Sequence, residues 1–205
     1  VGCASTPTNP NWVSDPSDLN NVKIEAAIRK AARKPTDELT ETDLEKVTML
    51  NLESNQLTEA PKGLENLTQL KFLNLDGNKL TEVPKGLEKL TQLKTLSLAH
   101  NQLTDVTGLE KLTKLTVLHL SGNQLTDVTE LEKLNQLEVL GLMVNKLTDV
   151  KGLEKLSQLT KLYLSNNQLT DVKGLESLTQ LKELSLNGNP DLTKAQIDEL
   201  QKALP

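Results

Sequence analysis

Aromatic side chains are almost missing from this chain. Its 205 residues hold one Trp, one Tyr and one Phe, so aliphatic side chains must supply the core. A single cysteine, Cys3, excludes an internal disulfide framework. Charged residues make up 25% of the chain and the net charge is −5, with no basic run or patch in the mixture. Nucleic acid is excluded as a partner on that ground. No apolar run approaches the ~20 residues that a membrane span requires. Catalytic chemistry also lacks its parts. A nucleophilic site gathers a nucleophile, a base and an orienting group, whereas here the one thiol stands on a tail and the histidines number two. Gly63, Gly86, Gly108, Gly152 and Gly174 recur at one place in a periodic pattern, as turn residues rather than as a phosphate loop. We expect no enzyme, no cofactor and no metal.

What is abundant is leucine, and its placement is periodic. Residues 115–136, LTVLHLSGNQLTDVTELEKLNQ, are one copy of a unit whose frame starts at Val47, Leu70, Leu93, Leu115, Leu137, Leu159 and Leu181. The first two steps are 23 residues and the next four are 22. Leucines hold unit positions 1, 4, 6 and 11, and asparagine holds position 9. Positions 4 and 6 are two apart, so in a strand Leu118 and Leu120 leave one face while Val117, His119 and Ser121 leave the other. One unit cannot bury its leucines alone. Stacked units form a parallel ladder over a continuous leucine core, roughly 30 Å long for strands about 4.8 Å apart.

The pattern L-x-x-L-x-L-x-x-N-x-L resembles the leucine-rich repeat. The resemblance implies an α/β solenoid, a leucine-rich repeat horseshoe with parallel concave strands and helical N-terminal and C-terminal caps. Residues 24–50, I-E-A-A-I-R-K-A-A-R-K-P-T-D-E-L-T-E-T-D-L-E-K-V-T-M-L, resemble the helical N-terminal cap of internalin-like bacterial proteins. Units reading T-D-V-x-G-L-E-K-L extend that likeness. Two early units depart from it, with an extra residue and the prolines Pro61 and Pro84, which predict a differently shaped side there. Residues 47–205 hold no immunoglobulin-like domain after the repeats, so the host-receptor role of internalins is not carried over.

Two ladders follow from the frame. Asn55, Asn78, Asn101, Asn123, Asn145, Asn167 and Asn189 recur without drift. An inward amide there can satisfy turn N–H and C=O groups. Glu59, Glu82, Asp105, Asp127, Asp149 and Asp171 recur at position 13, where an acid caps the first amides of a short helical turn; a cation site is the weaker alternative.

The ends differ from the array. Residues 1–18 are rich in Ser, Thr, Pro, Asn and Asp and predict a flexible leader. Residues 19–46 form a helical N-terminal cap: a first helix with a stripe of Leu19, Val22, Ala26 and Ile28, aided by Ala27 and Ala31, ends near Pro35, and Thr40 with Asp43 begins a short second helix. Residues 47–192 are seven repeats. Residues 193–205 are a C-terminal capping helix with a Thr193–Gln196 capping box and Ile197, Leu200 and Leu204 on one face.

Against so uniform a frame, departures stand out. Within the array the rare residue types are Met49, Phe72, His100, His119, Met143 and Tyr163, at unit positions 3, 3, 8, 5, 7 and 5. All fall on the outward strand face or its edge, which in repeat proteins varies to suit a ligand. The two histidines stand roughly 10 Å apart along the strands, too far to share a metal. At position 5, His119, Gly141 and Tyr163 follow one another, so an apolar notch is expected over Gly141. Its edges would be Val117, Val139, Met143 and Val144, and its rim Glu138 and Lys161. We expect Phe72, His100 and these residues to hold a protein or peptide on the concave face of a monomer. An adaptor that makes its contacts through the convex side or the edges is the alternative.

Cys3 follows Val-Gly and precedes Ala, which resembles the end of a bacterial lipobox. That resemblance implies lipidation at Cys3, a membrane contact through this anchor alone, and a cell-envelope location, lipid-anchored or secreted. Palmitate labelling of the full-length precursor in its host checks this: wild type labels and Cys3→Ala does not.

Overall fold

The computed structural model describes residues 19–204 apart from Glu38 and Lys62. The expected leader at 1–18, and Cys3 with it, lies outside the described residues.

The chain enters through helix α1, Leu19–Ala32. Its buried row is Ile24, Ile28 and Ala32, with Ala27 and Ala31 partly buried beside it. The expected stripe is corrected here. Val22 is 43% exposed and Ala26 also faces solvent, because both lie two residues from the Ile24–Ile28–Ala32 row, about 200° round the helix. The side chain of Leu19 lies outside the described set. Arg29 ties the exit of α1, pairing with Glu25 at 2.6 Å and donating to the Asp37 carbonyl at 2.8 Å. Helix α2, Glu41–Leu44, starts at the expected capping box of Thr40 and Asp43. The Asp43 carboxylate also meets the ammonium groups of Lys34 at 2.7 Å and Lys46 at 3.2 Å. Lys34 first, then Thr40, holds the Asp43 carboxyl well below the usual carboxylate range. Leu39, Leu44 and Val47 are buried and seal the first repeat.

Seven three-residue strands follow: β1 Met49–Asn51, β2 Phe72–Asn74, β3 Thr95–Ser97, β4 Val117–His119, β5 Val139–Gly141, β6 Lys161–Tyr163 and β7 Glu183–Ser185. They pair in sequence order as one parallel, unclosed sheet. The central leucine of each strand stands beside the next, as Leu118 beside Leu140. Between strands the chain returns through short 3-10 turns such as Leu109–Lys111 and Leu153–Lys155. Inward leucines from strand and turn merge into one core running the length of the array. At β7 the cover thins: Leu184 and Leu186 are only partly buried. Helix α3, Lys194–Ala203, starts at a Thr193–Gln196 capping box and brings Leu200 into the core.

The asparagine row stitches each unit to the one before it. The Asn123 amide nitrogen donates to the Leu98 carbonyl of the preceding unit at 3.0 Å and to its own unit's Leu120 carbonyl at 2.9 Å. Its oxygen accepts the Leu103 amide at 3.0 Å. Asn101, Asn145, Asn167 and Asn189 repeat the arrangement. Asn55 starts the row without a preceding unit and is half-buried, its amide donating to the Glu53 carbonyl.

The acid row acts locally. Asp105, Asp127 and Asp149 each accept the backbone amide two residues on, at 3.0, 2.6 and 3.1 Å. Asp105 and Asp149 thereby close a turn just before the 3-10 turn, whereas Asp127 caps the first amide of the 3-10 turn Thr129–Lys133, as expected. No group of three or more metal-ligating side chains forms among the described residues. The proline units hold the same 3-10 turn as the rest: Leu64 donates to the Pro61 carbonyl at 3.1 Å as Leu109 does to that of Val106 at 3.1 Å. Pro61 and Pro84 stand where Val106 stands later, so the extra residue changes the approach to the turn and not the turn itself.

Loss of the Asn123 amide strands three backbone groups in the core. Asn123→Ala should lower the unfolding free energy by about 3 kcal/mol, while Asn55→Ala should cost under about 1 kcal/mol. Denaturant unfolding of both variants reads the difference, and equal midpoint shifts would contradict an inter-unit role.

Candidate functional site

The side chains opposite the leucines form three outward rows, from unit positions 3, 5 and 7. Strand register sets each row side by side. Along row 3 run Met49, Phe72, Thr95, Val117 and Val139, then Lys161 and Glu183. Met49 is 62% exposed, and Phe72, Val117 and Val139 are half-buried. The leucines behind them are almost fully buried, so these are apolar groups that folding leaves uncovered. An open groove of about 780 Å³ lies where Ala27 and Ala31 of α1 face Met49 and Phe72, at the N-terminal end of this row.

At the other end, polar groups close the row. Lys161 pairs with Glu183 at 3.0 Å. Lys161 first, then the Tyr163 hydroxyl, holds the Glu183 carboxyl below its ordinary value. Burial first, then Glu183, raises the Tyr163 hydroxyl, and Glu183 raises the Lys161 ammonium. This corrects the expected rim. Glu138 stays exposed at position 2 and Lys161 turns to Glu183 instead, because their residues are cross-strand neighbours on one face. Glu183 was missed at the sequence level, although the repeat frame places it beside Lys161; Met49 was noted only as a rare residue of the same row.

The notch expected over Gly141 is closed. Gly141 is buried, and a Cβ there would meet His119 Nδ1 at 3.1 Å and Ser121 Oγ at 3.2 Å. The imidazole leans toward the next unit and takes the space that the missing side chain leaves. Ser121 Oγ also accepts the Met143 amide at 3.1 Å. Tyr163 leans away, toward Glu183, so it does not face His119 across a gap.

Row 5 is otherwise bonded at Asn51, Asn74 and Ser97, while the buried Ser185 Oγ at its C-terminal end has no hydrogen-bond partner among the described residues. Asn51 and Asn74 accept the amides of Glu53 and Asp76, each at 2.9 Å. Ser97 is buried and donates to Asp76 at 2.5 Å, and the same carboxylate oxygen accepts the Ala99 amide at 2.7 Å. The remaining predicted residues sit on the edge. Met143 at position 7 is exposed, while His100 and Val144 share position 8. Position 8 has a left-handed backbone in every unit: Ser54, Gly77, His100, Gly122, Val144, Asn166 and Gly188 have φ between 55° and 74°. Val144 is the one β-branched residue in that series, at φ 56°, and it is 54% exposed. A β-branched residue in this region is strained.

A family model for leucine rich repeats in two copies matches residues 68–111, 91–133, 113–155, 135–173 and 157–202, which together span more than half of the chain. An internalin from Listeria monocytogenes is similar in structure at 25% identity and TM-score 0.73, over 99% of this chain and 65% of that one. A leucine-rich repeat protein of Leptospira interrogans is similar at 29% identity and TM-score 0.70, over 78% of this chain and 48% of that one. The ectodomain of a plant receptor kinase from Arabidopsis thaliana, solved in complex with Casparian strip integrity factor 2, is similar at 34% identity and TM-score 0.62, over 73% of this chain and 20% of that one. This chain is therefore shorter than each of these three relatives. No curated protein matches the chain.

The strain at Val144 has a direct test. Asn166 shows that asparagine suits the same backbone, at φ 59°. Val144→Asn should raise the unfolding free energy by about 1 kcal/mol, read as a higher melting temperature in calorimetry; a lower one would mean that Val144 packs against something its exposure does not reveal.

Proposed function

The chain belongs to the leucine-rich repeat family, as an internalin-like bacterial member, and on that premise we propose that it is a non-enzymatic module that holds a protein or peptide on its outward strand face. It does so at the bacterial cell envelope, lipid-anchored through Cys3 or secreted. The observation that carries this reading is row 3. Phe72, Val117 and Val139 stand half-buried, and Met49 exposed, on one continuous face, whereas most other large aliphatic groups among the described residues are buried. Apolar groups in such a row gain from a partner that covers them.

The opposite side supports the same reading. There several charged groups already have partners: Lys155 bonds to Glu132 at 2.5 Å, and Glu88, Glu110 and Glu176 accept the amides of Gly86, Gly108 and Gly174 at 2.8, 2.7 and 2.6 Å. A solvated, self-paired convex face offers little to an adaptor. The residues nominated for contact are Phe72, Val117, Val139, His119, Met143 and Val144, with His100 at the edge. Gly141, Glu138 and the Lys161–Tyr163–Glu183 group frame them.

Crosslinking capture from the native cell surface tests the face. The Phe72→Gln, Val139→Gln double variant should lose the captured protein, while the convex Glu132→Gln, Lys155→Gln variant retains it. Capture that survives the first and fails in the second would move the site to the convex side.

A further inference from the structure

Row 3 has a spacing as well as a chemistry. Five side chains, Met49, Phe72, Thr95, Val117 and Val139, follow one another on adjacent parallel strands. At about 4.8 Å per strand, the four steps span about 19 Å. A ligand lying across the strands must match that interval to place one side chain over each step. On an α-helix, apolar residues at alternating steps of three and four recur every ~5.3 Å of rise, about 21 Å over four steps. On an extended peptide the side chains of one face recur every ~6.7 Å, about 27 Å over four steps. The helix stays in register along the whole row, and the strand slips out of it by the third step.

The flanks carry charge that selects which helix. On the position 2 side of the row stand Lys71 and Lys94 in its N-terminal half, both exposed, with Glu138 two units beyond Lys94, and no ion pair of either lysine occurs among the described residues. On the far side Glu53 and Asp76 are already bonded, to Asn74 and to Ser97. On the floor between, at position 5, Asn51, Asn74 and Ser97 bond within the protein, so a covering helix strands none of the bonds that they make. At the N-terminal end the groove of about 780 Å³ between α1 and β1 extends the row, and at the C-terminal end the Lys161–Glu183 pair stops it.

We propose that the partner of this face presents an amphipathic α-helix, with an apolar stripe seated along Phe72, Val117 and Val139 and carboxylates turned to Lys71 and Lys94. This rests on the concave-face reading and specifies the conformation and charge of what binds there.

The test uses the described protein and synthetic probes. The first probe is an 18-residue, lactam-stapled helix with leucines at alternating three- and four-residue steps and glutamates along one flank. The second has the same composition with leucine at every second position. Fluorescence anisotropy should show the stapled helix binding at least tenfold more tightly than the alternating peptide. Lys71→Glu with Lys94→Glu should weaken it about fivefold at low salt, and a helix with lysine in place of the flank glutamates should reverse that preference. Val117→Lys should abolish binding without unfolding the chain, since Lys161 already stands at the same unit position. If the alternating peptide binds as well as the helix, or neither binds, the helical assignment is overturned. Native capture by the Phe72, Val139 variant then still decides whether the face itself is the site.

Discussion

The arrangement depends on one side-chain amide per unit. A leucine-rich turn bends the backbone into the core and leaves N–H and C=O groups where water cannot reach them. The asparagine of position 9 answers two carbonyls and one amide at once, and one of those carbonyls and the amide belong to the neighbouring unit. Its bonds are therefore both local and inter-unit, which makes the stacking distance and the turn geometry one constraint. No other short side chain offers two donors and an acceptor in that fork. Burial of the leucines drives assembly, but it is non-directional; the amides set the register in which the leucines meet.

That constraint fixes one side of each strand and frees the other. The outward rows answer to no repeat, so their composition records something other than stacking. Their internal bonds show which groups remain available. Asp76, Ser97 and Asn74 are engaged with one another or with turn amides, and Lys161, Tyr163 and Glu183 form a closed group. Row 3 and the lysines beside it are what is left over. The convex side is the reverse case: a glutamate recurs at the 3-10 turn and bonds a glycine amide of its own unit at Glu88, Glu110 and Glu176, while Lys155 bonds across units to Glu132.

Much was legible in sequence because the period is long, strict and repeated. A motif seen seven times averages out local accident, so strand positions, inward leucines, the asparagine ladder and both capping boxes could be placed from spacing alone. The outward face could be named for the same reason, since a two-residue strand alternation is unambiguous once the leucines are assigned. Less was legible where the repeat gives no template. In α1 the apolar residues permit more than one stripe, and only packing against β1 selects Ile24, Ile28 and Ala32 over Val22 and Ala26.

The amino-acid order by itself determined the solenoid, its direction and the membership of each row, because those follow from which side chains must leave water and at what interval. It did not determine where the outward side chains lean. His119 closes over Gly141, Tyr163 and Lys161 turn together to Glu183, and Val144 is held in a left-handed backbone although it is β-branched. Those outcomes belong to the stacked structure. Each depends on a cross-strand neighbour about 4.8 Å away in space and some twenty residues away in sequence, a contact that exists only once the ladder has formed.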